Sequence, residues 1–238
     1  MNGILENTLK EIQNKLVEET LKAQSKYDGF EKEDLLNLEA SENENAIIRN
    51  GRVYKEVDLS KHSITTILGY LFNYTNLVFV PEQDKLYEML YPGNIKKMHI
   101  GTEAHQGTER FVAENFDEFA IEEFLSYEDE RGDEVNGKLD LAFYEQDKNI
   151  LYIIDLKTGK ELNKEYLDYQ LKSYAFLFCL KHKIKPSKII GIGLGVKEIY
   201  EISFNLKNAE QKFYDLLNAK EQMLRELEEK KVVAISNY

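Results

Sequence analysis

Cysteine is almost absent from this sequence, which has a single thiol, Cys179, among its 238 residues. One cysteine cannot form an intrachain disulfide, and it cannot supply the four thiolates of an iron–sulfur cluster. Without a disulfide framework a reducing compartment is expected, and we predict a cytoplasmic protein. A signal-peptide pattern and an apolar run of membrane-spanning length are also missing, so we expect no membrane association.

Positive charge is scarce as well. The chain has 31 Lys and Arg against 43 Asp and Glu, a formal net charge of −12. This balance disfavours a general nucleic-acid coat protein, because such proteins bind by neutralising phosphates. It leaves open an enzyme that contacts DNA through metal ions and a local basic groove. It also leaves open a module whose acidic surface binds a protein partner.

Nucleotide-binding loops are lacking too. The glycine-rich segment 191–195 lies in a predicted strand that is followed by another strand, whereas a phosphate cradle needs a helix N-terminus. Segment 158–161 lacks the first glycine and the Ser or Thr of a Walker A motif. We therefore predict no ATP binding, which disfavours a nucleotide-dependent switch.

The pattern of apolar residues predicts alternating helices and strands. An amphipathic helix should run from the N-terminus to near Asp28, and its apolar face could pack on the core, form a dimer seam or bind a partner. Core packing is the usual role of such a face. Asn50-Gly51 between two alternating runs predicts a β-hairpin. The remaining predicted helices are 63–74, 84–90 (ended by Pro92-Gly93), 99–124, 163–183 and 208–231, and the remaining strands are 124–130, 137–145, 150–154, 188–196 and 199–204.

Two acids and a lysine stand where predicted strands end. Strand 150–154 is followed by Asp155-Leu156-Lys157, and burying either charge without a partner would cost several kcal/mol. Residues one and three of that triplet point to the same side of an extended strand. Asp140 lies on the preceding strand, and turn-forming residues 146–149 predict a hairpin that brings both carboxylates to one end of the sheet.

Polar residues with helical spacing lie on both sides of this hairpin in the sequence. Gln170 and Tyr174 are four positions apart on helix 163–183. Gln170 interrupts an apolar face, so a specific hydrogen bond is expected, whereas Tyr174 also suits a core position. His105 and Glu109 share one face of helix 99–124. Taken alone, His105 would be read as an ordinary surface or core histidine.

The order of these residues resembles that in the RecB-like branch of the PD-(D/E)XK nuclease superfamily. The matching elements run from Ser63 to Tyr174: Gly-x-x-x-His, Gly-x-x-Asp, a strand with Asp-x-Lys-Thr-Gly, and a helix with Gln-x-x-x-Tyr. A proline often precedes the first acid in the superfamily, and Leu139 stands there in this chain. The resemblance implies an α/β fold with a restriction-endonuclease-like core, in which helices flank a central mixed β-sheet. The hydrophobic pattern adds a helical N-terminal extension and a C-terminal helix to this core. We therefore expect residues 1–60 to form a helix and hairpin appendage and residues 61–238 to form the nuclease domain.

The resemblance also implies roles for the site residues. The two acids would bind Mg²⁺ or Mn²⁺ together with a histidine and a main-chain carbonyl, while the lysine positions or activates the attacking water. The glutamine and tyrosine would orient the site or the strand. The expected metal ligands are therefore His105, Asp140, Asp155 and Leu156, the expected catalytic residues are Asp140, Asp155, Lys157, Gln170 and Tyr174, and Glu109, Glu128 and Glu134 are candidate auxiliary acids.

The implied activity is metal-dependent hydrolysis of DNA in recombination, repair or replication. The segment from Ser63 to Leu68 is similar to a Ser-x-Thr-x-x-Leu segment of exonuclease members, which favours an exonuclease acting on single-stranded or frayed ends. The alternatives are a structure-selective endonuclease and a catalytically idle module that keeps the nuclease fold. Tyr70, Phe72 or Tyr74 could stack on bases, although each also suits a core position.

Overall fold

A computed structural model of the chain describes residues 3–57, 61–74, 76–128, 132 and 134–236. The predicted fold class is confirmed: the protein is α/β, with helices flanking a mixed central sheet, a helical N-terminus and a C-terminal helix. The helices are α1 Gly3–Tyr27, α2 Lys32–Glu42, α3 Ile64–Leu71, α4 Pro92–Asn115, α5 Lys164–His182 and α6 Leu206–Ser236. The strands are β1 Ile47–Arg49, β2 Arg52–Glu56, β3 Lys61–Ser63, β4 Leu77–Val80, β5 Lys85–Leu90, β6 Phe119–Glu128, β7 Glu134–Glu145, β8 Ile150–Lys157, β9 Lys188–Gly195 and β10 Ile199–Phe204.

The central sheet has the order β10-β9-β8-β7-β3, and β6 pairs with the other side of β7. β8 lies parallel to β9 and antiparallel to β7, so the sheet is mixed. Side chains along β8 alternate between two cores, as extended strands require. Leu151 and Ile153 pack with residues of α3, α5 and α6, whereas Tyr152 and Ile154 pack with residues of α1 and α4. The strand that carries Asp155 is therefore covered on both faces.

The glycines of β9 allow α5 to lie close to the sheet. A Cβ atom at Gly193 would lie 2.6 Å from Leu167 Cδ1, and one at Gly191 would lie 3.2 Å from Leu171 Cβ. A larger side chain at either position would push the helix outward. The glycine-rich segment is thus part of a strand, as predicted, and its glycines serve packing.

The N-terminal helix packs on the core, which is the first of its three predicted roles. Leu9, Ile12 and Leu16 belong to the same apolar cluster as Ile154 and Ile192 of the central sheet. The hairpin of β1 and β2 has Asn50 and Gly51 at its turn and is continued by β5 and β4 into a second, four-stranded sheet. The division at residue 60 stays a prediction, and α1 shares its core with the sheet beyond that boundary.

Two sequence predictions near residue 90 are wrong. Segment 84–90, predicted as a short helix, forms β5, because it pairs with β2 on one side and β4 on the other. Local spacing of apolar residues cannot reveal such pairing partners. Pro92 begins α4 instead of ending a helix, since a proline is readily accepted at the first helical position. α4 then ends at Asn115, so that residues 119–124 of the predicted helix lie in β6.

Among the described residues, none of the helices combines the length and apolar composition that crossing a bilayer requires.

Candidate metal centre

The candidate site lies where β7 and β8 separate. The last residue pair between these strands is Leu141 with Ile154, and the next pair would have been Asp140 with Asp155. β8 continues instead alongside β9 as far as Lys157. The backbone N–H of Leu156 donates to Asp140 Oδ2 at 2.7 Å. The divergence of the two strands therefore places two carboxylates side by side, one in the middle of β7 and one near the end of β8.

Lys157 and Gln170 continue the site from Asp155. Lys157 Nζ lies 2.5 Å from Asp155 Oδ2 and donates to Gln170 Oε1 at 3.1 Å. The Gln170 amide in turn donates to the Tyr174 hydroxyl at 3.5 Å. The hydrogen bond expected of Gln170 is thus present, and the structure brings the acid, the lysine, the amide and the phenol into one chain of contacts.

Asp155 retains unused bonding capacity despite this ion pair. Its side chain is almost fully buried, with 3% exposed. Its Oδ2 atom has no hydrogen bond of acceptable geometry, because the contact with Lys157 is close but poorly directed. A buried carboxylate oxygen in this state is costly unless another positive partner approaches it.

Helix α4 adds a histidine and a glutamate to the two strand acids. His105 Nδ1 lies 3.8 Å from Asp140 Oδ2. His105, Glu109 and Asp140 each offer one nitrogen or oxygen atom that could bind a metal ion. These three atoms all lie within 4.8 Å of one another. Glu109, predicted only as an auxiliary acid, is therefore part of the same cluster.

Burial and charge crowding shift the pKa values of these groups. Burial, followed by the charge of Asp155, holds the pKa of Asp140 well above its usual range, although Lys157 opposes this. Burial lowers the pKa of His105, against the opposing charge of Asp155. Burial also disfavours the Lys157 ammonium, but Asp155 and Asp140 outweigh it and raise the lysine pKa. The ionised form of Asp140 is therefore disfavoured unless a further positive partner approaches it, as its raised pKa indicates.

A break in the pairing of β6 with β7 brings a further acid, Glu122, to the site. Ile121 pairs with Leu141 and Glu123 pairs with Leu139, so Glu122 lies opposite Asp140 without pairing to it, and its φ is positive at 50°. Left-handed residues other than glycine are frequent beside functional sites. Burial and then the neighbouring Glu122 raise the pKa of Glu109 to about 7.

Sequence reasoning missed Glu122, because only the register of two strands reveals it.

The other two candidate auxiliary acids lie away from the candidate metal centre. Glu128 and Glu134 pair with each other at the far end of β6 and β7. Six residues along β7 separate Glu134 from Asp140, a span of about 20 Å.

Tight packing accounts for the glycine of the Gly-x-x-Asp pattern. A Cβ atom at Gly137 would lie 2.6 Å from Tyr174 Cε1. Tyr174 is 2% exposed and belongs to the core cluster, and burial raises the pKa of its phenol. Tyr174 is therefore both a core residue and a hydrogen-bond partner of Gln170.

Helix capping accounts for part of the Ser-x-Thr-x-x-Leu segment. Ser63 Oγ accepts the backbone N–H of Thr66 at 3.0 Å, which is a side-chain cap for α3. Leu68 is fully buried. These two positions have structural roles whatever else the segment does.

A second group of possible ligands lies elsewhere on the molecule and consists of Glu39, Glu42 and His99. Glu39 Oε1 lies 2.9 Å from Lys55 Nζ and also accepts the Asn43 amide. Glu39 Oε2 lies 3.3 Å from His99 Nε2. Lysine and amide groups already satisfy the buried acid, and Glu42 is exposed to solvent.

The residues around Asp140 suit a hard divalent cation. Carboxylate and carbonyl oxygens with one imidazole form a donor set that Mg²⁺ and Mn²⁺ accept. A cation at this position would be a second positive partner for Asp155 besides Lys157 and would stabilise the ionised form of Asp140. The Leu156 backbone joins two of the expected ligands, because its N–H donates to Asp140 and it also forms a hydrogen bond with His105. Asp155 lies close enough for its charge to act on both, but it is outside the group of ligand atoms within 4.8 Å, where Glu109 stands instead.

Comparison with known proteins gives structural similarity only. No protein-family model matches the chain, and no curated protein matches it. Among solved structures the chain is similar to that of SSO0001, with 18% sequence identity and a TM-score of 0.43 over 79% of this chain and 87% of that one. A similarity of this degree says nothing about function.

Proposed function

We propose that this protein is a Mg²⁺- or Mn²⁺-dependent deoxyribonuclease that hydrolyses phosphodiester bonds at single-stranded or frayed DNA ends. The observation that carries the proposal is the opening between β7 and β8, which gathers Asp140, Asp155 and Lys157 beside His105. The ordered resemblance to RecB-like nucleases gives the same residues their roles. It also suggests a place in recombination, repair or replication.

The site chemistry suits a phosphodiester substrate. Attack on a phosphodiester is slow because the phosphate and a hydroxide nucleophile are both anionic. A bound divalent cation supplies Lewis-acid stabilisation of that charge and makes a coordinated water more acidic. Asp140, Asp155 and His105, with the carbonyl of Leu156, are the groups that would hold it.

Lys157 acts as a cation and a donor in this proposal. Its raised pKa keeps the ammonium protonated at neutral pH, so it is unsuited to accept a proton from water. Asp155 and Gln170 each contact Nζ and fix its position. An ammonium held in this way can donate to an oxygen of the scissile phosphate and stabilise the negative charge that develops there.

Gln170 and Tyr174 position the lysine. Gln170 accepts a hydrogen bond from Lys157 through Oε1, which turns its amide nitrogen towards the Tyr174 hydroxyl. Tyr174 is held by its packing against Gly137. The two residues therefore act through Lys157.

End-labelled linear single-stranded DNA and circular single-stranded DNA, each with Mg²⁺, Mn²⁺ or EDTA, test the proposal. The wild-type protein should degrade the linear strand only with metal. Asp155→Asn should abolish this activity, and Lys157→Ala should lower it by about 10²- to 10³-fold. Asp147→Asn is a matched control, because Asp147 is exposed at the turn of the same hairpin. Cleavage of the circle would indicate an endonuclease. Failure to cleave any DNA with either metal would contradict the proposal and favour a binding module.

A further inference from the structure

A pocket of about 440 Å³ opens beside Lys157. It lies between α3, the start of α5 and the loop that follows β8. Its lining comprises Thr65, Gly69, Tyr74, Glu88, Lys157, Gly159, Glu161, Leu162, Asn163, Tyr166 and Leu167. Lys157 is shared with the candidate metal centre, so whatever fills the pocket lies next to the reacting group.

Tyr74 is presented to this pocket by the end of helix α3. The side chain is 58% exposed, the largest exposure of any described aromatic residue. Its backbone is nevertheless fixed, because the Tyr74 N–H donates to the carbonyl of Gly69 at 2.7 Å. The preceding residue, Asn73, adopts the left-handed conformation with φ 56°, a common way to end a helix. An exposed aromatic ring on a fixed backbone is suited to bind a ligand.

Other aromatic rings support Tyr74. The rings of Phe72 and Tyr74 are stacked, with centroids 6.2 Å apart and planes 26° apart. Tyr166 lies 5.9 Å from Tyr74, and Lys157 Nζ lies 5.9 Å from the centre of the Tyr166 ring. The Asn163 amide donates to the Tyr74 hydroxyl. The aromatic surface therefore leads from solvent to the lysine of the candidate centre.

The charged residues that line the pocket favour a nucleobase over a phosphate group as its occupant. Glu88 and Glu161 both line the pocket, and burial raises the pKa of Glu88. Two carboxylates would repel a second phosphate group. They are compatible with a nucleobase, whose ring is uncharged and whose exocyclic and ring N–H groups are hydrogen-bond donors.

We infer that this pocket binds one unpaired nucleobase of a single strand, stacked on Tyr74, while the adjoining phosphate lies at Lys157. The inference rests on the proposed nuclease function and makes it more specific: the substrate is a strand whose base next to the cleaved bond is free to leave the duplex. Stacking on aromatic side chains accepts every base, so recognition at this pocket is independent of sequence.

Base stacking can be measured without cleavage. The probes are two single-stranded oligonucleotides that carry 2-aminopurine at the 5′ or the 3′ end, mixed with full-length protein in EDTA at low salt. Wild type and Tyr74→Phe should quench the fluorescence of at least one probe, whereas Tyr74→Ala should bind it at least about fivefold more weakly. Tyr214→Ala is the matched control, because Tyr214 is 42% exposed and packs on Phe176 and Phe213. An absence of quenching by wild type would overturn the inference.

Cleavage assays with metal separate this inference from the proposed function. Wild type should cleave an oligonucleotide with an abasic terminal site at least about fivefold more slowly than the normal strand, and Tyr74→Ala should lose that difference. Cleavage without fluorescence quenching, and at equal rates for the normal and the abasic strand, would support the nuclease proposal. It would overturn the inference that the pocket binds a base. Quenching that depends on Tyr74 without any cleavage would support the pocket and contradict the nuclease proposal.

Discussion

Two clusters in this protein each combine a histidine with carboxylates, and only one is suited to hold a metal ion. In the first, His105 and Glu109 of α4 meet Asp140 of β7. In the second, His99 of the same helix meets Glu39 and Glu42 of α2. By ligand type and closeness the two are nearly equivalent. The difference between them lies in how the negative charge is compensated.

The second cluster compensates its buried acid internally. Glu39 is paired with Lys55 and accepts the Asn43 amide, while Glu42 is solvated. In the first cluster Asp155 and Asp140 share Lys157, while burial and like charges raise the pKa values of Asp140 and Glu109. Ligand type and proximity alone are therefore weak indicators of a metal site. Crowded carboxyl groups with raised pKa values are more informative.

The largest difference between the two clusters should appear in kcat when the lysine of each cluster is replaced by alanine. Lys157→Ala should lower kcat by about 10²- to 10³-fold, the typical loss when one preorganised donor to a developing negative charge is removed. Lys55→Ala should leave kcat unchanged, although it removes the ion pair of the buried acid in the second cluster. Single-turnover cleavage of labelled single-stranded DNA with Mn²⁺ measures both. Equal losses in the two variants would mean that only folding is affected.

The next largest difference between the two clusters should appear in the affinity for Mn²⁺. Asp140→Asn should weaken Mn²⁺ binding by at least about tenfold, since even supporting groups around a metal contribute 10- to 100-fold. Glu42→Gln should leave the affinity unchanged, because Glu42 is solvated and belongs only to the second cluster. Isothermal titration of the metal-free protein gives both values. Tighter binding at the second cluster than at the first would contradict the comparison.

A packing change tests how the first cluster is supported. Gly137→Ala places a methyl group against the ring of Tyr174 and should reduce the free energy of unfolding by about 1–3 kcal/mol. The melting temperature should fall by about 2–4 °C for each kcal/mol in a chain of this size. Gly29→Ala is the control, since nothing lies within 4 Å of a Cβ atom there. Calorimetry that found Gly137→Ala as stable as wild type would show that the ring can move aside freely.

The smallest effect concerns pH in the absence of metal. The folded-state pKa of Glu109 is raised from 4.5 to about 7, so its contribution to stability is fully present below pH 4.5 and is lost as the pH rises through about 7. Metal-free protein should therefore melt at a lower temperature at pH 8 than at pH 5. Glu109→Gln should reduce this difference, whereas Glu42→Gln should not. A melting temperature that rises over this interval in wild type, and is unaffected by Glu109→Gln, would contradict the assignment.

The parts of the site that depend on local sequence could be predicted. A short turn joins the strands of Asp140 and Asp155, so their pairing as a hairpin follows from residues 146–149. Gln170 interrupts an apolar helix face, which is enough to predict a hydrogen-bond partner. Hydrophobic periodicity and turn residues likewise gave the helices and strands from residue 134 onward.

The parts that depend on distant pairing could not be predicted. β5 was mistaken for a helix because only its two neighbouring strands make it extended. The break in pairing at Glu122 and the separation of β7 from β8 both depend on register, which single-sequence patterns do not specify. Pro92 suits either side of a helix boundary, so the residue type alone did not show that α4 begins there.

The most direct test of the central claim is the anomalous scattering of Mn²⁺ in crystals of the wild-type protein. The account predicts a difference peak bonded to Asp140, Asp155 and His105, and none between Glu39, Glu42 and His99. A peak at the second cluster alone, or no peak at the first cluster at saturating Mn²⁺, would contradict the account.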